Sequence, residues 1–213
     1  MHIDKTTSVQ DTFNRVAQEY QDKLMDLDLY NDGYETFCQL VSRPNARIFE
    51  IGCGPGNITR YILNKRPDYA VTGIDLAANM LKLAKKNNPN VNFKVMDCRE
   101  IDRIREKFDG IICGFCLPYL SETEGLKLIA DCFNLLNPGG IFYLSTIEGD
   151  YAQSKLETSS NGQHKVFMYY YPEAYLKRAL LENNFEVLEV YRKLYGLTNG
   201  PDDTHLIFIA RKK

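Results

Sequence analysis

Tryptophan is absent from these 213 residues, and histidine is scarce, at positions 2, 164 and 205 only. The first absence decides nothing about fold; the second leaves no His-rich metal centre. The six cysteines lie at 38, 53, 98, 113, 116 and 132 and include a single CxxC, Cys113-Gly114-Phe115-Cys116. A structural zinc site wants two such pairs, or one pair with two histidines, so no metal is expected and the CxxC reads as a buried strand end. Also missing is a basic excess: 26 Lys and Arg stand against 28 Asp and Glu, a net charge of −2. A protein that grips nucleic acid by neutralising phosphates carries such an excess, so no nucleic-acid partner is expected. No apolar run approaches the ~20 residues of a bilayer-spanning helix. None follows Met1-His2-Ile3-Asp4-Lys5 as a signal peptide would require, so a cytoplasmic location without a membrane partner is the expectation.

What the chain has in quantity is aromatic and apolar: 14 Tyr, 11 Phe and 44% hydrophobic residues, enough for a sizeable core and too much for extended disorder. Its length fits one domain. Phe13, Val16, Ala17, Tyr20 and Leu24 recur at helical spacing, and a second short helix is expected from Gly33 to Val41. After Pro44, short apolar runs alternate with helical patterns. Strands are predicted over Ala46–Ile51, Ala70–Ile74, Val91–Met96, Phe108–Gly114 and Ile141–Thr146, and helices over Asn57–Lys65, Ala77–Lys86 and Glu122–Leu136. Ser121 and Glu124 spell a capping box for the last helix, whose inward face is read as Leu126, Ile129, Ala130, Phe133 and Leu136. Such alternation implies βαβ units and a parallel sheet. Residues 147–171 break the rhythm; a helix then runs from Pro172 to Leu181, and strands from Phe185 to Leu194 and Thr204 to Ala210. The turn at Asn199-Gly200-Pro201 is too short for a crossover helix, so these two strands should pair antiparallel.

The most informative stretch is the strand–glycine–helix transition Ile48-Phe49-Glu50-Ile51-Gly52-Cys53-Gly54-Pro55-Gly56-Asn57. Glycines admit a ligand close to the backbone, the following helix offers free N–H groups, and ligands of open α/β sheets sit beyond the carboxyl ends of the strands. The loop spells GxGxG rather than the GxGxxG of dinucleotide sites, and Pro55 has no N–H to give. Asp75 ends the second strand, where a carboxylate can accept from both hydroxyls of a ribose. The third strand ends at Asp97, followed by Cys98.

Together, Glu50-Ile51-Gly52-Cys53-Gly54-Pro55-Gly56-Asn57, Gly73-Ile74-Asp75-Leu76-Ala77-Ala78-Asn79-Met80-Leu81, Met96-Asp97-Cys98-Arg99-Glu100-Ile101, Phe108-Asp109-Gly110-Ile111-Ile112-Cys113 and Leu136-Asn137-Pro138-Gly139-Gly140 resemble the class I S-adenosylmethionine-dependent methyltransferases. The resemblance covers Ala46 to Thr146 closely and the remainder by element order. It implies an α/β, Rossmann-like sheet of seven strands in the order 3-2-1-4-5-7-6, with strand 7 antiparallel and helices on both faces. A single methyltransferase domain, 1–213, would divide into an N-terminal helical cap (1–45), a cofactor-binding half (46–146), a lid-like insertion (147–171) and a C-terminal helix with antiparallel strands (172–213). The implied cofactor is S-adenosylmethionine, with S-adenosylhomocysteine as product and no metal. By that resemblance Gly52 and Gly54 would line the methionine part of the cofactor, with Cys53 and Asn57 in the same loop. Glu50 would brace the loop or hold the amino group through water, and Asp75 would bind the ribose. Leu76 and Met80 would pack on the adenine, Asp97 would accept from its amino group, Cys98 would donate its backbone N–H, and Phe115 would border the sulfur. Ala77 stands where Ser or Thr is usual, which removes a helix cap rather than a ligand contact.

Methyl transfer from a sulfonium needs alignment and a dry site more than it needs a base, so the acceptor side is left open. Two regions are candidates to close it: the first helix, with Phe13 and Tyr20, and residues 147–171, with Glu148, Asp150, His164, Tyr169 and Tyr170. Tyr119, after the fourth strand, is a further candidate. Of the histidines, only His164 falls in the expected lid. With no basic face and no added domain, the expected acceptor is a small molecule, and the expected assembly a monomer or homodimer. Two other readings stay open: a non-catalytic module that binds S-adenosylmethionine or S-adenosylhomocysteine, and an NAD-dependent oxidoreductase, which the glycine spacing disfavours.

Overall fold

In the computed structural model, which describes residues 5–158, 165–196 and 202–213, the uninterrupted apolar runs become the middle of a sheet. β1 (Arg47–Ile51), β4 (Phe108–Cys113) and β5 (Leu136–Ile147) run parallel, with Ile51 opposite Cys113 and Ile112 opposite Tyr143. β2 (Ala70–Asp75) and β3 (Asn92–Val95) extend the sheet on one side. On the other, β9 (Asp203–Lys212) lies between β5 and β8 (Phe185–Tyr195), antiparallel to both. The order β3-β2-β1-β4-β5-β9-β8 is the expected 3-2-1-4-5-7-6, β9 being the seventh strand of the sheet. The antiparallel pairing of the last two strands is as expected, while the turn at 199–201 lies outside the described residues. The strand numbers are displaced by a separate hairpin, β6 (Lys155–Thr158) with β7 (Lys165–Met168). The sequence shows only a break there, because these short strands, with Val166 alone buried, carry no alternation that a core would impose.

Successive strand residues face opposite ways, so β1 sends Phe49 and Ile51 into one apolar layer and Ile48 into the other. The first layer is closed by α5 (Glu122–Leu135) and α6 (Glu173–Glu182), the second by α2 (Asn31–Leu40) and α3 (Asn57–Lys65). α4 (Ala78–Asn87) packs on β2 and β3, and α1 (Lys5–Leu24) lies on α4 and β7 rather than on the large sheet.

α5 begins as expected, with Glu124 Oε2 accepting from the Ser121 N–H at 2.7 Å. Its inward face, however, is Gly125, Leu128, Ile129, Cys132 and Leu135, while Leu126 is 38% exposed. The stripe is helical but begins at a glycine. A Cβ on Gly125 would come within 3.0 Å of the Tyr171 hydroxyl, which fills the space. Hydrophobicity alone therefore draws the face one residue too far round.

Candidate functional site

The carboxyl ends of β1 to β4 open on a cavity lined by residues that follow all four strands and by α1. Its floor is the glycine loop. Gly52 and Gly54 both take positive φ (66° and 52°), which a side chain would resist. At Gly52 space is also short, since a Cβ would fall 2.3 Å from the Cys116 sulfur. Asp75 ties the loop to the next one: Oδ2 accepts from the Gly54 N–H at 2.9 Å and Oδ1 from the Ala77 N–H at 2.8 Å. Burial raises the Asp75 pKa despite these N–H donors. The Leu76 N–H is a third backbone donor to this carboxylate, which lines the cavity with acceptor capacity left for a ligand. Behind the loop, Glu50 is fully buried and accepts from the Thr59 hydroxyl through Oε2, while Oε1 has no partner among the described residues. Desolvation pushes the Glu50 carboxyl up to about 8.

At the end of β3, Asp97 faces the cavity but is clasped by Arg99, with Nε to Oδ1 at 2.9 Å and Nη2 to Oδ2 at 2.7 Å. Arg99 reaches on to Glu124 at 3.1 Å. Burial would raise the Asp97 pKa, but the Arg99 fork and backbone N–H hold it below the usual value. Cys98 and Cys116 both line the cavity, and each is raised, Cys98 first by its hydrogen bond to Cys116 and Cys116 first by that to Cys113. All three stay thiols rather than nucleophilic thiolates. Cys113 is a fully buried strand end, as expected, whereas Cys116 reaches the cavity wall. Phe115, between them, takes φ 55°, a conformation rare outside glycine, with its N–H donated to Ser145 Oγ at 3.1 Å. That backbone turn presents the ring to the cavity.

α1 supplies the roof. Phe13 meets Tyr20 and Tyr119 edge-on, at 5.9 and 5.1 Å between ring centres. The helix is fastened to the rim by polar contacts: Gln10 Nε2 donates to the Leu76 carbonyl at 3.1 Å, and Asn14 Oδ1 accepts from the Asn79 N–H at 2.9 Å. Asn14 thus caps α4, whose own N-cap, Ala77, has nothing to offer.

Beyond Phe115 and Tyr119 a second chamber opens, also sharing Tyr20 and both loop glycines. His205 and Tyr30 line it, with Tyr30 Oη 2.6 Å from His205 Nδ1. Sequence analysis passes over both. The available signal was topological. An antiparallel strand enters the sheet at the edge where its parallel neighbours end, and His205, opposite Ile147, heads β9 there.

The structure therefore brings Gly52, Gly54, Asp75, Leu76, Met80, Asp97, Cys98, Phe115, Phe13, Tyr20 and Tyr119 around one cavity. Asn57 begins α3 and lines the second chamber. Glu50 stands behind the loop, and Cys53 is buried against Leu81, Ala84 and Phe93. Glu148 and Tyr169 lie elsewhere. Glu148 pairs with Arg192 at 2.7 Å, and Tyr169 stacks on Tyr151 at 5.7 Å in the core. His2 and His164 fall outside the described residues. Among the described residues no cluster of His, Cys, Asp or Glu could hold a metal ion, and no helix is long and apolar enough to cross a membrane.

A family model described as a methyltransferase domain matches residues 48–140. Protein 235L of Invertebrate iridescent virus 6, whose name assigns it to the methyltransferases without an acceptor, is 44% identical over 86 residues, 40% of this chain and 32% of the viral protein. The malonyl-[acyl-carrier protein] O-methyltransferase of Acetivibrio thermocellus is 26% identical over 150 residues, 68% of this chain and 48% of that protein. The chain thus spans less than two thirds of the length of the curated relatives it matches. In fold it is similar to the 1,6-didemethyltoxoflavin-N1-methyltransferase of Burkholderia thailandensis, solved with 1,6-didemethyltoxoflavin and S-adenosylhomocysteine, at TM-score 0.73 and 22% identity over 97% of this chain and 88% of that one. The resemblance read from sequence is borne out by the domain match over 48–140 and by the fold.

Proposed function

We propose that this chain, which carries the methyltransferase domain and fold of the class I S-adenosylmethionine-dependent enzymes, transfers a methyl group to a small-molecule acceptor. The observation that carries the reading is the convergence on one cavity of the glycine loop, Asp75 and the Asp97-Cys98 strand end. The donor set fits an adenosyl amino acid. Glu50 Oε1, buried behind the loop and without a partner among the described residues, is a polar atom that a water bridging to the amino group would satisfy. The cavity-lining carboxylate of Asp75 suits a ribose hydroxyl, and the apolar flank of Leu76 and Met80 suits a flat base. S-adenosylmethionine, when bound, supplies a methyl group on a sulfonium that is already a good leaving group.

The protein's own contribution is alignment and exclusion of water. Phe13, Tyr20 and Tyr119 cover the cavity, and Phe115, in its left-handed turn, stands between it and the second chamber. Tyr20 and Tyr119 are raised by burial and stay protonated, so the roof offers neutral hydroxyls and ring faces rather than charge. A small acceptor agrees with this enclosed aromatic site, with the absence of a basic excess, and with the toxoflavin methyltransferase of similar fold, solved with a small molecule and S-adenosylhomocysteine. Calorimetric titration with S-adenosylmethionine, S-adenosylhomocysteine and NAD tests the reading. Binding of the two adenosyl sulfur compounds without NAD is expected, and NAD binding alone would overturn it. Turnover of S-adenosylmethionine with an acceptor panel separates an enzyme from a binding module.

A further inference from the structure

The second chamber differs in chemistry from the first. Its wall is built by residues remote in sequence, and aromatic rings crowd around one imidazole. His205 stacks on Tyr195 at 4.9 Å and 13°, and meets Phe115 at 4.7 Å and Tyr30 at 5.8 Å. Among the described residues the only charged one lining the chamber is Lys23, whose Nζ lies 5.3 Å over the Tyr195 ring, and no described Asp or Glu lines it. An aromatic cage for a cation would want a carboxylate and would not be guarded by an ammonium group.

The polarity of the His205 edge follows from its partner. Tyr30 Oη makes its hydrogen bond to His205 Nδ1 at 2.6 Å and has no other partner among the described residues. Burial pushes the Tyr30 pKa up and lowers that of His205 to about 4, so both rings are neutral. With the Tyr30 hydroxyl as donor, Nδ1 is the acceptor and the ring proton sits on Nε2. The Nε2–H has no protein acceptor among the described residues, and the ring lines the chamber. A ligand would therefore meet one N–H donor, one flexible cation and a wall rich in aromatic rings.

We infer that this chamber is the acceptor site, and that it takes a planar aromatic molecule whose carbonyl, carboxylate or phenolate oxygen accepts from His205 Nε2–H and lies within reach of Lys23. The inference rests on the methyltransferase reading for the word acceptor, but the recognition chemistry stands without it. The aromatic character comes from the rings of Tyr20, Phe115 and Tyr119 that line the chamber beside His205, and the choice of sign comes from Lys23.

The test is calorimetric titration of the full chain, with and without saturating S-adenosylhomocysteine, using 2-naphthoate, trimethyl(2-naphthylmethyl)ammonium and cyclohexanecarboxylate. 2-Naphthoate is expected to bind at least about tenfold more tightly than either of the others. His205→Phe keeps a ring and removes the N–H, and should weaken 2-naphthoate about tenfold, or about 1.4 kcal/mol, while leaving S-adenosylhomocysteine binding unchanged. Lys23→Gln should weaken the anion a few-fold and remove most of its salt dependence. If His205→Phe does not fold, Tyr195→Leu at the half-exposed rim and Lys23→Gln still decide. Equal or tighter binding of the ammonium probe, or 2-naphthoate affinity unmoved in every variant, overturns the inference. Probe binding without any S-adenosylhomocysteine binding would sink the methyltransferase reading and leave the chamber's chemistry standing.

Discussion

Asp75 holds two loops together and offers its remaining acceptor capacity to the cavity, so its removal should be read on two instruments. Asp75→Ala is expected to weaken S-adenosylhomocysteine binding by about 1–3 kcal/mol, the usual cost of losing charge-assisted hydrogen bonds. It should also lower the melting temperature of the free protein, because the Gly54 and Ala77 N–H groups lose their acceptor. Unchanged affinity in a folded variant would place the ribose elsewhere. Glu50 gives a pH signature. Its carboxyl keeps its proton up to about 8 in the fold but loses it near 4.5 when unfolded. Between those values the folded state binds more protons, so stability falls as pH rises through the window and levels off above it. Glu50→Gln removes that dependence. By thermal melts from pH 4 to 9, the variant should match the parent at the acid end and exceed it at the alkaline end by on the order of a few kcal/mol. A pH-independent difference would refute this assignment of the buried proton. Both acids were legible in the sequence because they sit at strand ends beside glycines. Arg99 was not, since nothing in Cys98-Arg99-Glu100 shows that the arginine folds back onto Asp97.

Elements were legible where a periodic apolar pattern met a punctuating residue. α3 matches its predicted span of Asn57–Lys65, between the glycine loop and the polar turn that follows. They were less legible where the pattern runs through small residues, as in the Gly125–Cys132 face of α5, or where no core imposes one, as in β6 and β7. The N-terminus of α4 shows a different limit. From sequence, Ala77 removes a cap; in the fold, Asn14 of α1 supplies it from 65 residues away. Ala77 already has the extended dihedrals of an N-cap, φ −91° and ψ 111°. Asn14→Ala should therefore cost about 1 kcal/mol and loosen α1 from the rim. Adding Ala77→Ser to that variant should recover most of the melting temperature through a local cap, but not α1 docking. Stability and S-adenosylhomocysteine affinity would then part company. Full recovery of both would mean that Asn14 acts only as a cap.

Across the whole molecule, the cofactor half announces itself because its residues follow one another in five short segments, whereas the second chamber does not. Tyr30 and His205, 175 positions apart, meet only because β9 runs backwards into the sheet edge where the parallel strands end. The same architecture divides the chain by stability. β1, β4, β5 and β9 are covered on both faces by the two apolar layers. Among α1's described side chains only Ala17 is fully buried, and the helix is held to the cavity rim by contacts such as those of Gln10 with Leu76 and Asn14 with α4. Amide exchange in the central strands should therefore require global unfolding, while α1 exchanges through local opening with a much smaller free energy. A ligand that fills the cavity beneath Phe13 and Tyr20 adds contacts that exist only when α1 is docked, so it must shift that opening equilibrium. Hydrogen exchange followed residue by residue should show saturating S-adenosylhomocysteine slowing the α1 amides selectively, with α6 unchanged. Equal slowing of α6 and α1 would mean that the ligand acts on global stability alone, and no slowing in α1 would remove that helix from the site.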